Sequence, residues 1–140
     1  MIGAIVARNK TIKAMQALNR KDLTAFLADY ADDAVHLFPG EQPAPGGTYR
    51  GKKAINEWWL RLFEQFPKFQ FNVKSVSVQK ISTFGANNHV TIEWDFPYTN
   101  RKGVEGQNSG VTAVDIHGGK VIKTQVYIFD ETVVQKKAWG

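Results

Sequence analysis

Glu93 and Asp95 stand two residues apart in the stretch Thr91-Ile92-Glu93-Trp94-Asp95-Phe96-Pro97-Tyr98, a spacing that suits paired carboxylates for proton transfer. The stretch alternates. Val90, Ile92, Trp94, Phe96 and Tyr98 share one face of an extended strand, and Thr91, Glu93, Asp95 and Pro97 share the other. Carboxylates two residues apart on a strand lie about 6–7 Å from each other. Held together in an apolar pocket, burial and like charge would raise at least one pKa and give a general acid or base usable near neutral pH. Alternation alone favours the opposite placement, with Trp94 and Phe96 buried and the carboxylates wet. The site reading takes Asp95 as base or water activator, with Glu93 beside it.

His36 lies between Val35 and Leu37 on a short apolar segment and shares a face with Phe38. An imidazole is the side chain most easily tuned for proton transfer near pH 7, so His36 is the expected partner of Asp95. Tyr30 or Tyr49 would supply a hydroxyl donor. Phe38, Trp58, Leu62 and Trp94 or Phe96 would shape the walls, and Thr112 and Tyr127 would contact the substrate. Four tryptophans and 12% aromatic residues suit a flat apolar ligand. His89 and His117 adjoin turns and are expected to be exposed. No histidines have metal-site spacing, and there is no G-x-S-x-G, phosphate loop or dinucleotide fingerprint. No metal and no cofactor are expected.

The elements that would position these residues begin with a helix over 4–20, carrying Ile5, Ile12, Met15 and Leu18 on one face. Asp22 is a plausible N-cap for a shorter second helix, in which Leu23, Phe26, Leu27 and Tyr30 follow helical spacing. Ala34–Phe38 reads as a short strand. Residues 39–51, PGEQPAPGGTYRG, read as a Pro/Gly-rich loop of the length that is often functional. A third helix spans about 52–66, with Ile55, Trp58, Trp59, Leu62 and Phe66 on one face, and Pro67 closes it.

Strands follow. Phe69, Phe71 and Val73 alternate on one parity and Val76 and Val78 on the other, so a β-bulge is expected near Lys74–Ser75. A turn at 85–88, a strand over 89–98, a turn at 99–103 and strands over 107–117 and 121–129 complete the series. Gly118–Gly119 forms a tight hairpin. The tail, 130–140, has room for one turn of helix. Helices followed by consecutive antiparallel strands give an α+β fold: a cone-shaped roll in which three N-terminal helices cover a strongly bent antiparallel sheet. Such a cone encloses an apolar ligand site.

At 140 residues the chain is expected to form one domain over 1–140. It has no cysteine, and no run approaches the roughly 20 apolar residues of a membrane span, so a cytoplasmic, membrane-free protein is expected. The net charge of +5 comes from scattered basic pairs such as Lys52–Lys53 and Arg101–Lys102, and no nucleic-acid partner is expected.

The element order, together with ALNRKDLTAFLADYADDAVHLFPG (17–40), GTYRGKKAINEWW (47–59) and GGKVIKTQVYIFD (118–130), resembles the nuclear transport factor 2-like superfamily and within it the SnoaL-like group. That group includes polyketide cyclases, ketosteroid isomerases and limonene epoxide hydrolases. The resemblance implies a pocket for an apolar or polycyclic small molecule and a homodimer through the sheet. It implies either cofactor-independent acid–base chemistry (isomerisation, cyclisation, hydration) or a non-catalytic binding module.

Carried over by position, the isomerase roles fall on Phe38, on Ala14, and on Thr112 or Ala113, none of which matches the isomerase residue. Of the epoxide hydrolase triad, Asp95 matches the water-activating aspartate. Glu93 stands where an arginine is expected, and Val126 or Tyr127 where the second aspartate is expected.

Overall fold

The computed structural model describes residues 2–80 and 87–140. Helix α1 spans Ile2–Asn19 and α2 Leu23–Phe26. Then come β1 (Tyr30–Phe38), β2 (Gly47–Arg50), α3 (Lys52–Gln65), β3 (Lys68–Phe69), β4 (Asn72–Lys80), β5 (Asn88–Thr99), β6 (Glu105–His117), β7 (Lys120–Ile128) and α4 (Glu131–Trp139). The first half of the turn expected at 85–88 lies outside the described residues.

The fold is α+β, with a sheet ordered β2-β1-β7-β6-β5-β3 and β4 also paired to β5. The sheet was expected to be antiparallel, but β1 runs parallel to β7. That pairing brings the strand before α3 alongside the last strand of the chain, a long-range seam that local patterns do not encode. Register shifts occur at Val73/Ser75, where a bulge was expected, and also at Asp115/Ile116 and Tyr30/Val35. Bulges bend a strand and increase its twist, and here they curl the sheet around an apolar interior.

Three local expectations are corrected. Helix α2 ends at Phe26, so Tyr30 opens β1 rather than completing a helical face. Asp22 does cap α2, its Oδ1 accepting the Ala25 N–H at 3.1 Å. Within the 39–51 segment, Gly47–Arg50 is not loop but an edge strand paired antiparallel to β1. The tail forms a nine-residue helix instead of one turn.

The helices bury what their spacing indicates, with one exception. Ile55, Trp58, Trp59 and Leu62 of α3 are buried, as are Met15 and Leu18 of α1, but Ile5 is 57% exposed. Helix α4 closes one end of the cone. Its Ala138 carbonyl accepts hydrogen bonds from Gln65 Nε2 at 2.8 Å and Asn100 Nδ2 at 3.2 Å. Trp139 packs edge-on against Phe66, ring centroids 5.0 Å apart, and against Phe38 at 6.2 Å. No helix among the described residues is long and apolar enough to cross a membrane.

Candidate functional site

The curled sheet, α1 and α3 enclose a cavity of about 540 Å³, within the usual range for small-molecule sites. Strand β5 contributes its even-numbered face: Asn88, Ile92, Trp94 and Phe96 line the cavity. Phe38, Trp58, Leu62 and Thr112 also line it. Trp94 Nε1 donates to Thr112 Oγ1 at 2.9 Å, which fixes the indole across the wall.

Asp95 and Glu93 lie on the other face. They were expected to serve the site, but the alternation that buries Trp94 and Phe96 turns both carboxylates outward. Asp95 Oδ1 accepts from Ser109 Oγ at 2.6 Å on the neighbouring strand, and Glu93 Oε2 lies 3.2 Å from Lys74 Nζ. The Glu93 hydrogen bond, followed by the charges of Asp95 and Glu93, raises the Lys74 pKa.

Tyr49, expected as a hydroxyl donor, and Tyr127, expected to contact the substrate, are not among the residues that line the cavity. Tyr127 is 50% exposed on the outer face. Tyr49 donates to the Pro45 carbonyl at 2.7 Å, and Trp58 Nε1 reaches the same oxygen at 3.2 Å, so Tyr49 pins the Pro/Gly loop rather than contacting the cavity. His117 is exposed as expected. His89 is half-buried, its Nδ1 2.6 Å from Asp115 Oδ1 across the outer face.

The polar centre of the cavity is built from Tyr30, His36 and Thr124. His36 is 1% exposed. Its ring lies 4.5 Å from that of Trp58 and 5.7 Å from that of Trp59, centroid to centroid. Nδ1 is 2.7 Å from Thr124 Oγ1, across the parallel β1–β7 seam. Nε2 is buried without a partner among the described residues. Burial disfavours the imidazolium and lowers the His36 pKa to about 4, so the ring is neutral near pH 7. Burial also raises the Tyr30 pKa, partly opposed by a hydrogen bond with the Thr124 hydroxyl.

A hydroxyl both donates and accepts. Tyr30 O–H can therefore donate to Thr124 Oγ1 while Thr124 O–H donates to His36 Nδ1, which leaves Nε2–H as a buried donor without a partner among the described residues. Three further polar atoms, on residues that line the cavity, are buried without a partner among the described residues: Asn88 Oδ1, Asn108 Oδ1 and Trp59 Nε1. Buried polar atoms are normally hydrogen-bonded, so these positions suit a ligand with a few polar groups on an apolar body.

Thr124, Asn88 and Asn108 were missed in the sequence. Their signal was a polar residue on the apolar parity of a strand: Thr124 with Val126 and Ile128, Asn88 with Val90 and Ile92.

Residues 12–124 match the SnoaL-like domain family. No curated protein gives a significant match. Among solved structures, Bal32a from a soil-derived mobile gene cassette is 16% identical with a TM-score of 0.82, covering 99% of each chain. A putative polyketide cyclase from Xanthomonas campestris pv. campestris is 16% identical with a TM-score of 0.76, covering 97% of this chain and 98% of its own. TerC, co-crystallised with polyporic acid, is 13% identical with a TM-score of 0.77, covering 94% and 97%. At these identities the likeness is one of fold. With the family match extending over 12–124, the chain belongs to the SnoaL-like domain family.

Proposed function

We propose that this protein binds a flat, largely apolar small molecule in the cone and polarises a carbonyl of that molecule through the Nε2–H of neutral His36. The observation that carries this reading is the buried Nε2, with no partner among the described residues, on a ring whose other nitrogen is fixed by Thr124. A neutral imidazole is a weak acid, but in a dry pocket a fixed donor stabilises charge that develops on an oxygen. Thr124 and Tyr30 would feed that donor from behind. Carbonyl polarisation serves enolisation, and therefore isomerisation and cyclisation. A structural relative described as a putative polyketide cyclase, and another crystallised with polyporic acid, fit the same ligand class.

A second reading, capture of the ligand without catalysis, is favoured by one observation. Among the described residues no carboxylate lines the cavity interior to serve as a base.

The test uses 6-propionyl-2-(dimethylamino)naphthalene, a flat ketone whose emission shifts to the red when its carbonyl accepts a hydrogen bond. Bound to the native protein it should emit to the red of the same probe bound to His36→Phe, with about tenfold tighter binding, the equivalent of one good hydrogen bond. Thr124→Val, which removes the group that orients the ring, should shift emission in the same direction as His36→Phe. Equal emission and affinity in all three proteins would overturn the reading.

A further inference from the structure

We infer that the natural ligand of this cavity carries a negatively charged group, held at the opening beside α1 by Lys13 and Arg20. This rests on the cavity being a small-molecule site, and it adds the ligand's charge class and the residues that read it.

The interior and the opening differ in kind. The interior is apolar, with neutral polar groups. Among the described residues, the charged ones that line the cavity are Lys10 and Lys13 of α1, Arg20 just past its end, and Asp29 before β1. All three basic side chains are exposed; Lys10 and Lys13 stand one helical turn apart on α1, and Arg20 follows its last residue. Lys10 lies 3.8 Å from Asp29, so that acid is already engaged. Among the described residues neither Lys13 nor Arg20 has a carboxylate within ion-pair distance. Gln16 lines the cavity between them.

Opposite charges at the edge of a low-dielectric cavity attract more strongly than the same charges in open water, and the attraction weakens with salt. An apolar body in the cone with an anionic group at its rim would therefore satisfy both regions at once. A cationic ligand would meet like charge at the opening, and a wholly neutral one would gain nothing from it.

The experiment compares two probes with the same skeleton, 1-anilinonaphthalene-8-sulfonate and N-phenyl-1-naphthylamine, which lacks the sulfonate. Binding is read by fluorescence at low and high ionic strength. The sulfonate should bind about three- to tenfold tighter at low salt, and the difference should fade by 0.5 M salt, beyond about one Debye length. In the Lys13→Gln/Arg20→Gln double variant that preference should vanish while the neutral probe binds as before. Neutral-probe binding with no preference for the sulfonate would overturn the charge inference alone. Failure of both probes to bind a protein with native circular dichroism would overturn the small-molecule cavity itself, and this inference with it.

Discussion

The His36 Nδ1 and the Thr124 Oγ1 lie 2.7 Å apart although 88 residues separate them in the chain. The contact exists because β1 and β7 run parallel and in register at His36 and Thr124. It places a neutral imidazole, with one nitrogen tied, in the wall of an apolar cavity.

A pH dependence of stability follows. His36 titrates near 6.5 when unfolded, and burial lowers this to about 4 in the fold. Between those values the unfolded chain binds the proton and the folded chain does not, so unfolding is favoured as pH falls. The His36 contribution is absent above about pH 6.5, develops between 6.5 and 4, and amounts to roughly 3 kcal/mol of lost stability at the acid end. Denaturant titrations of the native protein and of His36→Gln between pH 4 and 7 check this. The variant should lose that part of the slope, and parallel curves would remove His36 as its source.

Much of this was written in local pattern, and the failures have physical causes. The alternation of Val90–Tyr98 correctly implied an outward Glu93 and Asp95, because burying Trp94 and Phe96 fixes the face of every neighbour and a one-residue slip would expose both aromatics. The spacing that matched Asp95 to a water-activating position carried no information about facing. The α3 stripe and the bulge near Ser75 were legible because each is set within a few residues. The His36–Thr124 contact was not, because nothing near either residue specifies a parallel seam. Tyr30 misled because helical spacing over Leu23–Tyr30 competes with a turn at Leu27–Asp29, and the pairing of Tyr30 with Val121 decides it.

Asp95→Asn should leave the cavity untouched. Asp95 pairs with Ser109 on the outer face, and an asparagine oxygen can still accept from Ser109 Oγ. Affinity for N-phenyl-1-naphthylamine should stay within about twofold and stability within about 0.5–1 kcal/mol, the scale of a partly exposed hydrogen bond. Fluorescence titration and urea unfolding check both, and a tenfold loss of affinity would put Asp95 back in contact with the site.

Tyr49→Phe should loosen the Pro/Gly loop without altering the cavity walls. The hydroxyl donates to the buried Pro45 carbonyl, which Trp58 Nε1 also reaches, so the loop retains its longer tether. The expected cost is about 1 kcal/mol. Limited proteolysis within residues 39–46 should be faster than in the native protein. An unchanged cleavage rate would mean that the Trp58 contact alone holds the segment.

Gly110→Ala should be among the most damaging single-methyl additions to the sheet. Gly110 sits opposite Trp94 on β5 and Ile128 on β7. A Cβ there would overlap the Tyr127 carbonyl oxygen and stand 3.0 Å from the Trp94 ring, which is itself held by Thr112. Neither neighbour can yield cheaply, because one is strand backbone and the other is a buried indole lining the cavity. Overpacking of this kind costs about 1–3 kcal/mol. It should also displace Trp94 and change intrinsic tryptophan emission. Gly3→Ala is the control: it lies in α1 with nothing within 4 Å of the added carbon, and it should be neutral or stabilising by about 0.5–1 kcal/mol. Urea midpoints for the two variants decide the matter, and a Gly110→Ala midpoint equal to the native one would show that β6 can move away from Trp94 at this point.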